Sequence, residues 1–97
     1  MLSWFARRLH QRLLQRLARL QRDTDEILNR APKSMGGAVN WGELYCWRAL
    51  KWVDDSGDHG LAVEISEAAP DANALIQYVT TELLKRGWRN VEVRLEW

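Results

Sequence analysis

The chain has 97 residues, enough for one domain with a modest core. Its apolar fraction of 46% and charged fraction of 28% are globular values, which exclude a disordered or low-complexity chain. A formal net charge of +1 hides an asymmetry: residues 1–33 carry a balance of +5 and residues 34–97 one of −4. A single cysteine, Cys46, excludes an intrachain disulfide and points to a reducing, cytoplasmic setting. No apolar run approaches the roughly 20 residues that span a bilayer.

The first element is a long amphipathic helix, expected from about Ser3 to about Asn29, with Ser3 as its N-cap. Leu2, Phe5, Leu9, Leu13, Leu17 and Leu20 recur at helical spacing and share a face, which Ile27 and Leu28 extend. Arg8, Arg12, Arg16, Arg19 and Arg22 line the neighbouring face. Between Arg7 and Arg22 there are six arginines, no lysine and no acid. Such a band repels itself and opposes the helix dipole, so it calls for an acidic partner outside the helix. Asp23, Asp25 and Glu26 follow it. On helical spacing Asp23 reaches Arg19, and Glu26 reaches Arg22 and Arg30. The opening stretch is Arg-rich and acid-poor, like a mitochondrial presequence, but is read here as part of the working protein.

Residues 31–40 read as a linker, because Pro32 stops the helix and Gly36-Gly37 loosens the chain. A ββαβ domain over residues 41–97 follows. Residues 41–53 are rich in strand formers, and 61–66 alternate as a second strand. The Asp54-Asp55-Ser56-Gly57-Asp58-His59-Gly60 turn joins them in a hairpin. Pro70 opens a helix expected over 71–86, with Ala69 or Ser66 as cap candidates. Gly87 ends it, and Trp88 can fold back on Leu83 or Leu84. Residues 91–97 alternate as a third strand, with Val93 and Leu95 inward and Glu92, Arg94 and Glu96 outward.

The fold class is therefore α+β: the long N-terminal helix, then a ββαβ unit whose three strands form an antiparallel sheet in the order 2-1-3. The first strand is placed centrally because both of its faces are apolar-rich. One sheet face takes the helix of residues 71–86. The other is left for the N-terminal helix or a second subunit. The arrangement resembles a trimmed ferredoxin-like sandwich, a shape that hosts many functions and specifies none.

Sites with chemistry are few. The cluster Asp54, Asp55, Asp58 and His59 lacks the spacing of a calcium loop and reads as an Asp/Ser/Gly hairpin turn. Two isolated histidines, His10 and His59, and Cys46 do not make a zinc set. Ser34-Met35-Gly36-Gly37 lacks the Lys-Ser/Thr that a phosphate-cradling loop needs. No cofactor, metal, catalytic triad or small-molecule substrate is expected. The row Trp41, Tyr45 and Trp47 reads as core or interface, with base stacking as the alternative.

The residues thus point to a non-enzymatic protein–protein interaction or assembly module, an adaptor, self-associating as a homodimer or binding another protein. The leucine face and the aromatic sheet face would carry the contact. The alternatives are nucleic-acid binding through the arginine face and peripheral attachment of that helix to an anionic membrane surface.

Overall fold

The structure, a computed structural model, describes residues 4–32, 34 and 47–96. Helix α1 spans Trp4–Arg30, strand β1 Trp47–Val53, strand β2 His59–Ser66, helix α2 Ala72–Lys85 and strand β3 Val91–Glu96. No described helix is long and apolar enough to cross a membrane. Residues 41–46, expected to begin the first strand, lie outside the described residues, as do Trp41, Tyr45 and Cys46.

The three strands form one mixed sheet in the order β1-β2-β3. β1 and β2 pair antiparallel as a hairpin, and β2 and β3 pair parallel across the α2 crossover. The expected order, 2-1-3 with every pair antiparallel, is therefore corrected: β2 is central and β1 lies at an edge. The expectation rested on the two apolar-rich faces of the first strand, and it overlooked Glu64. Its place in Leu61-Ala62-Val63-Glu64-Ile65 reads as a solvent-facing position on a half-covered strand. Instead every residue from Leu61 to Ser66 is buried, Glu64 at 3% exposure included. A strand buried on both faces belongs in the middle of a sheet. Glu64 tolerates the position because an arginine reaches it from each neighbouring strand. Arg48 Nε donates to Oε1 at 2.6 Å, and Arg94 Nε donates to Oε2 at 3.0 Å.

The odd-numbered strand residues Trp47, Ala49, Leu61, Val63, Ile65, Val91 and Val93 join one core with Leu20, Ile27 and Leu28 of α1 and Leu75, Val79 and Leu83 of α2. Side chains alternate across a sheet, so both helices lie on the same face. Of the two covers expected for the opposite face, the N-terminal helix or a second subunit, the first is thereby corrected. The opposite face carries Arg48, Leu50, Trp52, Ala62, Glu64 and Arg94. There the Trp52 indole lies against Gly60, its register partner, where a Cβ would stand 2.7 Å from the ring.

Local sequence explains the elements. Residues 4–30 contain neither Gly nor Pro and are dominated by Leu, Arg, Gln and Ala, all good helix formers. Pro32 follows the end of α1. The N-cap of α2 is Asp71, whose Oδ1 accepts from the Ala74 N–H at 3.1 Å. Ser66 instead accepts from the Ala68 N–H at 3.2 Å within the preceding turn. At the other end Gly87 has φ +90°, and the N–H groups of Gly87 and Trp88 return to the carbonyls of Leu84 and Leu83 at 3.0 Å each. That is a Schellman cap, and Trp88 enters the core as its hydrophobic partner. On β3, Val93 is half-buried but Leu95 is 40% exposed, against the expectation that both are buried. β3 is an edge strand, and its far end runs past the helical cover.

Candidate phosphate-binding face

The leucine stripe of α1 is turned onto the chain's own sheet. Leu20 is fully buried, and Leu13 and Leu17 are half-buried against the same core. The side chains of Leu2, Phe5 and Leu9 lie outside the described residues. Leu14, off the stripe, is exposed. Nearer the N-terminal end, the Lys51 ammonium donates to His10 Nδ1 at 3.3 Å, so His10 marks the boundary between α1 and β1.

The arginine band is exposed along Arg8, Arg12, Arg16, Arg19 and Arg22. The acids that follow it turn elsewhere. The expected pairs of Asp23 with Arg19, and of Glu26 with Arg22 and Arg30, give way to contacts with the end of α2. Arg86 Nη1 lies 2.8 Å from Glu26 Oε2 and 3.4 Å from Asp23 Oδ1. The Glu26 hydrogen bond first, with the charge of Asp23 behind it, raises the Arg86 pKa above its usual value. Asp23 also accepts from the Trp88 indole N–H at 2.8 Å. The Arg19 guanidinium stacks over the Trp88 ring at 5.1 Å, a cation–π contact that holds it at the mouth of a concavity. Among the described residues, no carboxylate lies within ion-pair distance of Arg12, Arg16 or Arg22.

Two adjoining concavities follow this band. One of about 410 Å³ lies between α1 and the α2–β3 turn, with Arg16, Arg19, Asp23, Arg86 and Arg89 on its walls and Trp88 and Asn90 beside them. The other, of about 510 Å³, runs along α1 past Arg12, Gln15, Arg16, Arg19 and Arg22. Arg89 is partly engaged, since its Nη1 donates to the Trp88 carbonyl at 3.1 Å and lies 3.4 Å from that of Leu84. The surface gathers planar, permanently charged donors from α1 and from the end of α2. Such donors suit phosphate oxygens, which accept the two-pronged guanidinium contact.

The structure thus brings together the predicted Arg12, Arg16, Arg19 and Arg22 and adds Arg86 and Arg89, which sequence reasoning missed. The signal was present: both flank the Gly87 cap, and a helix end capped by a buried tryptophan must sit against another element. Of the third predicted surface, the aromatic row, one member is described. Trp47 packs against the core, and Trp41 and Tyr45 lie outside the described residues.

The acidic cluster is a turn. Asp54 Oδ1 accepts from the Ser56 hydroxyl at 2.7 Å and from the N–H groups of Ser56 and Asp58 at 3.0 and 2.9 Å. Gly57 supplies the positive φ of +88°. No three His, Cys, Asp or Glu side chains converge as a metal site among the described residues. Comparison with protein-family models, with curated proteins and with solved structures gives no match to this chain.

Proposed function

We propose that this protein is a non-enzymatic module that binds the phosphate backbone of a nucleic acid along the arginine band of α1. One observation carries the reading: Arg12, Arg16 and Arg22 are exposed with no carboxylate in reach among the described residues, while Asp23 and Glu26 are committed to Arg86. An uncompensated row of like charges lowers stability by self-repulsion, so a polyanion is the partner that offsets it. The row suits a repeating charge. Arg12 to Arg22 covers about 15 Å of helix, and duplex DNA offers one phosphate per roughly 1.7 Å of axis. Self-association through the leucine face, or insertion of that face into an anionic membrane, would need the stripe in solvent. From Leu13 to Leu20 it faces the protein's own core. No catalytic step belongs to the reading, because Asp23, the carboxylate at the concavity, is held by Trp88 and Arg86. The single cysteine supports the cytoplasm as the proposed compartment.

The test is fluorescence anisotropy with a labelled duplex over a salt series. About four phosphate contacts predict a slope of log K against log salt near −3.6, at roughly −0.9 per contact. Arg12→Gln and Arg22→Gln should each make that slope shallower by about one and weaken binding evenly across sequences. Absence of binding at about 50 mM salt, or a slope that ignores both substitutions, would overturn the proposal.

A further inference from the structure

We infer that the outer edge of β3 pairs antiparallel with β3 of a second copy of this chain, with Val93 on the two-fold axis. The inference is independent of the arginine band. β3 ends the sheet, so one side of its backbone is left without a strand neighbour in the described fold. Such an edge is a template for another strand unless charge or cover blocks it.

Here the charge pattern selects the partner. Glu92 and Arg94 flank Val93, and Arg94 Nη1 lies 3.4 Å from Glu92 Oε2 on the same sheet face. In an antiparallel self-pair about Val93, Glu92 stands opposite the second copy's Arg94, and Arg94 opposite the second copy's Glu92. Like charges at 92 and 94 would make this register repulsive. Opposite charges two residues apart make it self-complementary. The apolar row agrees. Val91 and Val93 are half-buried and Leu95 is 40% exposed on the helix side of the sheet. The same register sets Leu95 against the second copy's Val91 and so covers a leucine that the protein's own helices leave wet. The other edge, β1, carries Arg48 and Lys51 and no acid, so a self-pair about Leu50 finds no charge partner. Closure about a two-fold axis uses up both β3 edges and stops at two copies.

Light scattering of the full chain, from about 1 to about 100 µM, reads the association directly. A monomer–dimer shift within that range is expected, because a lone strand pair is a small interface. Glu92→Arg changes an exposed side chain and sets arginine opposite arginine twice, so the dimer should weaken by roughly tenfold or more. Val93→Cys, in a Cys46→Ser background, should cross-link two chains on mild oxidation, because the substituted residues meet across the axis. A wild-type chain monomeric at about 100 µM overturns the inference. So does a dimer that Glu92→Arg leaves intact, or one in which Val93→Cys fails to cross-link. A circular dichroism spectrum and melting curve like wild type for each variant separate loss of the dimer from loss of the fold.

Discussion

Replacing Thr24 with Val should stabilise the protein by about 1–2 kcal/mol. Thr24 is fully buried on α1, between Leu20 one turn before it and Ile27 and Leu28 one turn after. A threonine within a helix commonly returns its hydroxyl to the carbonyl four residues back. Here the buried Oγ1 has no hydrogen-bond partner. Folding therefore strips water from a hydroxyl and returns nothing, at a cost of about 1–3 kcal/mol. Val keeps the branched shape and replaces the hydroxyl with a methyl that belongs in the core. The helix propensities of the two residues are nearly equal, so they do not obscure the result. Thr24→Ser is the control: it keeps the unpartnered hydroxyl and removes the methyl, losing about 1 kcal/mol of burial. For a domain of this size each kcal/mol moves the melting temperature by about 4–8 °C. Thermal melts followed by circular dichroism should therefore rise for Thr24→Val and fall for Thr24→Ser. A lower melting temperature for Thr24→Val would show that the hydroxyl does have a partner and that α1 is seated differently on the sheet.

Gly60→Ala should cost about 1–3 kcal/mol, because its methyl would stand 2.7 Å from the Trp52 ring and the indole must move; a shift in tryptophan emission should accompany the loss in urea melts. Leu83→Ala should cost about 2–5 kcal/mol, since Leu83 is 2% exposed in the core, whereas Leu95→Ala at the wet end of β3 should cost much less. The Asp54 pKa is lowered, chiefly by the Ser56 hydroxyl and then by backbone N–H groups of the turn. A lowered folded-state value gives stability that is present above the unfolded carboxylate pKa and is lost as pH falls through the folded one. Amide exchange or chemical shifts of residues 54–58 should therefore show the hairpin turn loosening in acid, below about pH 4, and Ser56→Ala should move that loosening to higher pH.

The elements were legible where local chemistry decides them. The helical spacing of Leu13, Leu17 and Leu20 and the stop at Pro32 fixed α1, and Gly87 with Trp88 marked the end of α2. The sheet order was not legible, because a buried Glu64 looks the same in a sequence as an exposed one; only the register of Arg48 and Arg94 beside it tells them apart. The arginine band was visible as a face, but the absence, among the described residues, of a carboxylate beside Arg12, Arg16 or Arg22 was not. That depends on Arg86, 60 residues beyond Glu26, drawing off the acids that local spacing assigns to Arg22 and Arg30. Asp71 was passed over as the cap of α2 in favour of Ala69 and Ser66, although Asp is the better acceptor for the N–H groups of the first turn.

Glu64, gripped from both sides, has a consequence for how the chain finds its fold. Strands slip by single residues during folding, and apolar rows such as Ala49-Leu50 or Val91 and Val93 offer weak resistance to a shift. A slip of one residue in either outer strand turns its arginine to the helix side of the sheet. Glu64 then sits in the middle of the sheet with the guanidinium from that strand gone. Stripping a partner from a buried charge costs about 3–5 kcal/mol, a large part of the stability of a small domain. Misaligned sheets are thus rejected one outer strand at a time, so the carboxylate works as a proofreading device for strand alignment.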